Sequence, residues 1–151
     1  MNRPGGDRSL SSNERVHPLA IDRIVEDIRA VFTGAGAGKV EAEISDRGMR
    51  LVVNEEMGKA FAALGDAVAR GALVRIHGSL ARIETGETDG DKGCALLSVS
   101  VTAGHVATKR VVRDALSAMK GVIKKQGGSL RFRERDGEVR LSIYLPLVHS
   151  P

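Results

Sequence analysis

The residues here that could carry chemistry are few and scattered. Four histidines stand at positions 17, 77, 105 and 149, with a single cysteine at 94. Zinc sites use His and Cys pairs at short spacing. No two of these histidines have that spacing, and one thiol supplies neither a disulfide framework nor a multi-cysteine metal centre. Cys94 therefore reads as a small buried strand residue, and His105 as a surface-loop residue. Glu84, Glu87, Asp89 and Asp91 form an acidic cluster. A calcium loop needs a fixed ligand order and a closing glutamate, and both are absent, so a hairpin loop fits better. No Ser-His-Asp set can be assembled from spacing alone.

Charge is a stronger signal. The chain carries a net charge of +4, unevenly placed. From Val106 onward ten Lys/Arg face four Asp/Glu, a net of +6, and the remainder nets −2. Lys109, Arg110, Arg113, Lys120 and Lys124 fall in one segment, and Arg131, Arg133 and Arg140 in the next. Such asymmetry suits an acidic partner, and equally a solvated surface. Outward arginines also guard edge strands against aggregation. Aromatic residues make up only 3% and Trp is absent, which argues against base stacking and hence against nucleic acid as the main partner. No apolar run approaches the ~20 residues that span a bilayer, and positions 1–13 lack a signal-peptide core. A cytoplasmic protein with no membrane contact is expected.

The elements that must position these residues are set by periodicity. Val112, Ala115, Leu116, Met119, Val122 and Ile123 recur at helical spacing, with Arg113, Ser117, Lys120 and Lys124 opposite. Gly127-Gly128 offers a left-handed stop. Leu130 and Phe132 alternate inward with Arg131 and Arg133 outward, and Asp136-Gly137 signals a hairpin. On the return strand Val139, Leu141, Ile143 and Leu145 point inward, and Arg140, Ser142 and Tyr144 outward. Upstream, a helix is expected from about Pro18, with Ile21, Ile24, Val25, Ile28, Val31 and Phe32 as its stripe. Val40, Ala42 and Ile44 mark a strand, the turn at Asp46-Arg47-Gly48 leads to Met49, Leu51 and Val53, and the two strands read as a hairpin. Asn54 caps a second helix that buries Met57, Ala60, Phe61, Leu64 and Val68 and stops at Gly71. Leu73 to Ile83 and Ala95 to Val101 are strands, separated by a polar loop over Gly86 to Gly93.

This order of elements, together with Gln126-Gly127-Gly128-Ser129-Leu130, Asp136-Gly137 and Ile143-Tyr144-Leu145-Pro146-Leu147, resembles the ATP-binding domain of sensor histidine kinases, the GHKL ATPase superfamily. In that family a helix is followed by "hGGsl", a strand, an acidic-Gly turn and a closing "f.lpLP". The resemblance covers about Val16 to Val148. It implies an α/β fold of the α+β two-layer kind: a mixed β-sheet covered on one face by about three helices, Bergerat-type without a nucleotide lid. The histidine-kinase-like domain is expected over 16–148, behind a disordered tail over 1–15.

The family's nucleotide motifs, set against this sequence, are degraded. The "N-L-L-x-N-A" run, whose second Asn holds Mg²⁺, corresponds to Ala63-Leu64-Gly65-Asp66-Ala67-Val68. Both asparagines have become alanine, at Ala63 and Ala67, and Asp66 remains. The "D-x-G-x-G" run corresponds to Thr102-Ala103-Gly104-His105-Val106, with Thr102 for the adenine-binding Asp and only Gly104 kept. The "G-x-G-L-S" run, whose backbone cradles phosphates, corresponds to Arg113-Asp114-Ala115-Leu116-Ser117. Arg113 and Ala115 replace its glycines, and the segment from His105 to Val112 is too short for a lid. The resemblance thus implies a pseudo-ATPase without cofactor or metal.

It further implies a protein-binding role in bacterial two-component signalling, like the degenerate ATPase-like domain of bacterial histidine phosphotransferases. The partner would be a response-regulator receiver or a sensor kinase, met through Lys109, Arg110, Arg113, Lys120 and Lys124, and a homodimer is compatible with this. His17-Pro18-Leu19 faintly matches a phospho-accepting histidine box, but sixteen preceding residues cannot form the long helical hairpin that carries one. Two alternatives stand: an ATP-binding anti-sigma-factor or histidine kinase, and nucleic-acid binding through the basic C-terminal third. Residues 1–15 lack an apolar pattern with which to offset ordering entropy. A chain starting at Val16 is expected to melt within a few degrees of the full chain, and loss of cooperative unfolding in a thermal melt would show that the tail docks.

Overall fold

A five-stranded mixed sheet, buried on one face only, organises the chain. The computed structural model describes residues 17–84, 91–102, 109–135 and 137–148. In chain order the elements are β1 (His17–Ala20), α1 (Ile21–Gly34), β2 (Lys39–Ile44), β3 (Arg50–Val53), α2 (Glu55–Val68), β4 (Leu73–Glu84), β5 (Asp91–Thr102), α3 (Lys109–Lys125), β6 (Ser129–Arg135) and β7 (Glu138–Pro146). The large sheet runs β2-β4-β5-β7-β6. Its β2–β4 pair is parallel and the other three pairs are antiparallel.

Alternation along the strands decides which face is covered. Val74 and Ile76 of β4, Val99 and Val101 of β5, and Leu141 and Ile143 of β7 are all buried. They meet the apolar stripes of the helices in one continuous core. In α3 that stripe is Val112, Leu116, Met119 and Ile123, each at most 1% exposed. Phe32 of α1 and Phe61 of α2 meet edge to face, with centroids 6.2 Å apart at 78°. Such a pair contributes about 0.5–1.5 kcal/mol beyond its burial. Gly65 permits the close approach of these helices, since a Cβ there would lie 3.1 Å from the Ala35 Cβ.

Several expectations are corrected. Residues from Pro18 do not begin a helix: His17–Ala20 is a strand paired antiparallel with β3. Proline fixes φ and lacks an N–H, which suits a short two-stranded ribbon as well as a first helical turn. The helix starts three residues later, where the Ile21 N–H donates to the Met49 carbonyl at 2.9 Å. Nor do β2 and β3 form a hairpin. Strand β2 pairs with β4, while β3 pairs with β1 and is tied to the chain end by the Val148 N–H on the Arg50 carbonyl at 2.9 Å. Alternation identifies a strand but not its partner. Asp91 to Gly93, assigned to a loop, extend β5 and pair with Arg82 to Glu84; Glu87 and Asp89 lie outside the described residues. Phe132 does alternate with the arginines and shares the helix-side face with its buried register partner Leu141, but it is 42% exposed there because β6 lies at the edge of the sheet.

The stop after α3 behaves as its glycines require. Gly127 has φ 80°. Its N–H donates to Lys124, and that of Gly128 to Ile123, each at 3.0 Å. A Cβ on Gly128 would collide with the Tyr144 carbonyl oxygen and press on Ile123 and Leu145. Gly128→Ala should therefore cost roughly 1–3 kcal/mol. Gly121→Ala, within α3 and facing open space, should raise stability by about 0.5–1 kcal/mol. Urea denaturation of the two variants checks both signs.

Candidate functional site

Helix α2 begins on Asn54, whose side-chain oxygen accepts from the Met57 N–H at 3.3 Å. Glu55 and Glu56 follow in the first turn, at the positive helix end. The capping fixes the helix phase and so decides which residues of the 63–68 run reach solvent. Ala63 and Asp66 are exposed, and Ala67 is 3% exposed and belongs to the core. The exposed polar group of that run is therefore Asp66, and an amide at 67 would point into apolar packing.

At the end of β5 Val101 is buried on the helix side. Thr102 instead lines a hollow of about 380 Å³ with Arg133, Arg135, Glu138 and Arg140, on the uncovered sheet face. Gly104 lies outside the described residues, as does His105. Helix α3 packs on α2, so the helices that carry the 63–68 and 113–117 runs are neighbours. Lys109 is the first residue of α3. Arg110, Arg113, Lys120 and Lys124 are exposed, and Ala115 is half-buried. No acidic residue occupies the first turn of α3. Cations there face a like-signed helix end, which costs typically 0.3–1 kcal/mol each at low salt. An anion at this end would reverse that sign.

Two hollows escaped the sequence reading. Leu19, Ile28, Val31, Val53, Met57 and Phe61, with Asp27 and Glu55 at the polar rim, enclose about 240 Å³ between α1 and α2. The strand β1 contributes Leu19, so an expectation of helix there hid the hollow. None of the nucleotide-motif residues lines it. On the open face, Arg135 extends the series Arg131, Arg133 at the same two-residue period, a signal the sequence already held. The Ser100 hydroxyl donates to Glu138 at 2.9 Å. That bond, and then Arg140, hold the Glu138 carboxyl below its ordinary range.

One grouping looks catalytic and is not. Ser45 Oγ lies 2.6 Å from His77 Nε2, across 32 residues of sequence. Glu43 also approaches, but its carboxylate lies 3.6 Å from the same Nε2. In a working triad the acid bonds Nδ1 and leaves Nε2 to the nucleophile. Here both compete for one nitrogen, and Glu43 is 82% exposed. Among the described residues no three His, Cys, Asp or Glu side chains could hold a metal ion. Cys94 is buried, and desolvation pushes its thiol up, away from the reactive thiolate. No helix among the described residues is long and apolar enough to cross a membrane.

The arrangement of strands and helices recurs in solved structures. The catalytic domain of histidine kinase ThkA, in a nucleotide-free form, superposes with a TM-score of 0.58 at 11% identity, covering 87% of this chain and 95% of that one. The ATP-binding domain of PrrB from Mycobacterium tuberculosis gives 0.56 at 16%, covering 89% and 99%. Full-length ShkA in complex with AMPPNP gives 0.57 at 13%, covering 89% of this chain and 32% of that one. The chain has the histidine-kinase catalytic-domain fold. No protein-family model matches the sequence, and no curated protein does.

Neither the native chain nor Asp66→Asn is expected to bind Mg-ATP in titration calorimetry. Placing an amide at Asp66, the exposed polar position of the 63–68 run, would leave Thr102 and Arg113 where the resemblance calls for the adenine-binding Asp and a phosphate-cradling glycine. Saturable binding in the micromolar range, about −8 kcal/mol, by either protein would overturn the reading of a lost nucleotide site.

Proposed function

We propose that this chain is a catalytically inactive histidine-kinase-like domain that binds a protein of bacterial two-component signalling, a response-regulator receiver first and a sensor kinase second. The observation that carries the reading is the start of α3. Arg110 and Arg113 are exposed there, and no acidic residue shares the first turn. The family's phosphate cradle would need glycine at 113 and 115, where backbone N–H groups approach the ligand. A long cationic side chain and a methyl group stand there instead.

Further support comes from the other two motif positions. Ala67 is core, and Thr102 lies with the open-face arginines. With Val101 buried on the helix side, no carboxylate of β5 is offered toward the helices at either residue. The exposed series Arg110, Arg113, Lys120 and Lys124 then forms a cationic strip along α3. A receiver presents a cluster of carboxylates, and complementary charge mainly speeds association, more strongly at low salt.

Receiver domains from the same genome, screened by interferometry, should include a binder whose association slows as salt rises. Arg110→Glu combined with Arg113→Glu should cut that association rate by about tenfold or more, while the melting temperature stays nearly unchanged. An association rate left intact by the double reversal would place the contact elsewhere on the domain.

A further inference from the structure

The edge strand β6 combines features that the α3 strip does not share. Among the described residues it pairs with β7 alone, so its outer side keeps backbone donors and acceptors without a strand neighbour there. Arg131, Arg133 and Arg135 follow one another at period two on the open face, about 6.7 Å apart along the strand. Arg133 stands directly opposite Arg140 in the β6–β7 register, and like charges in that position destabilise a sheet. Glu138 holds Arg140 at 3.3 Å. Among the described residues, Arg131 and Arg133 have no carboxylate partner. On the opposite face of the same strand, between the arginines, Phe132 is 42% exposed.

We propose that β6 is a docking edge for an extended acidic segment of another protein, one that alternates Asp or Glu with apolar residues and adds to the sheet as a sixth strand. The match is one of period. An added strand places every second side chain on the open face and the others on the helix side. Its carboxylates then fall beside Arg131 and Arg133, relieving the like-charge contact with Arg140. Its intervening apolar residue falls beside Phe132 and covers it. Charged edges deter neutral and like-charged strands, and the same arginines turn that deterrence into selection for an acidic one.

The other edge strand of the large sheet is a poorer occupant. In β2, Glu41 is already held by Arg75 at 3.1 Å and Lys39 at 3.4 Å. Those two cations depress its carboxyl, Lys39 most. Pairing β2 of one copy with β6 of the next would also be head to tail, which builds rings or filaments rather than a two-fold pair. Glu134 of β6 lies on the Phe132 face, so carboxylates for Arg131 and Arg133 on the open face are assigned to a different chain.

The test uses the full chain and a fluorescent nine-residue peptide alternating Glu and Val, followed by anisotropy. Saturable binding is expected, with at least tenfold loss when alternate peptide nitrogens are methylated to remove strand hydrogen bonds. The same composition rearranged as a Glu block and a Val block should lose as much, as should the alternating peptide against Arg131→Glu with Arg133→Glu. Deuterium uptake across residues 129–135 should fall on binding. Equal affinity for the alternating and block peptides would reduce the effect to bulk charge and overturn the proposal. So would binding that survives methylation, no binding at all, or a single-stranded DNA 12-mer that binds more tightly than the alternating peptide. Concentration-dependent self-association in sedimentation that Arg133→Glu abolishes would assign the edge to a second copy, and would overturn it too.

Discussion

Everything in this structure depends on burying one face of a sheet and leaving the other wet. Three helices supply enough apolar stripe to cover Val74, Ile76, Val99, Val101, Leu141 and Ile143. None crosses to the other side, so each strand must alternate. The open face consequently collects the residues that alternation excludes from the core: Arg75 and His77 on β4, Ser98 and Ser100 on β5, Arg140 and Ser142 on β7. Close approach is allowed at only a few points. Gly78 lets α1 reach the sheet, since a Cβ there would lie 3.3 Å from Ile21, and Gly128 lets the end of α3 pass the β7 backbone. These are steric requirements of the layer spacing, which explains glycine at both sites.

Elements stabilised by their own periodicity were legible in the sequence. Helix α2 was, because a polar cap, an acidic first turn and an apolar stripe all agree. Strand β7 was, because its four inward residues are all buried as the pattern required. Pairing was less legible. The alternation of Val40, Ala42 and Ile44 is the same whether β2 meets β3 or β4. What separates β2 from β3 is long-range: β3 is claimed by β1 and by the backbone at Val148. The first strand was hidden by Pro18, whose fixed φ fits two local structures, so only the partner strand decides between them.

The candidate site was legible in kind and not in phase. Motif spacing brings α2, the end of β5 and the start of α3 together, and the structure does pack α2 against α3. The direction of each side chain was beyond spacing. Ala67 and Asp66 are adjacent in sequence, yet one is core and the other solvent, because helical phase is set by the Asn54 cap and the apolar stripe. Thr102 and Val101 divide between the two sheet faces for the corresponding reason in a strand. The Ser45–His77 contact shows the converse. It joins β4 to the residue just after β2 across 32 positions, and only the parallel β2–β4 register creates it.

Electrostatics connect the two basic surfaces to the fold while keeping them separate. The strip on α3 lies on the outer side of the helical layer, and the β6 arginines lie on the opposite, uncovered face of the sheet. The first turn of α3 has no acidic residue, and in the β6–β7 register Arg133 faces Arg140, whereas Arg135 faces Glu138. Elsewhere the chain does neutralise its cations, as in Arg23–Asp27, Arg47–Asp22 and Arg75–Glu41. Exposure keeps the cost of the uncompensated positions small, because water and salt screen charges at these distances. The same screening leaves little stability to be gained by filling them internally. What sets the two basic surfaces apart is regular spacing, Arg110, Arg113, Lys120 and Lys124 along a helix and Arg131 and Arg133 along a strand, and that spacing is what the two proposals rest on.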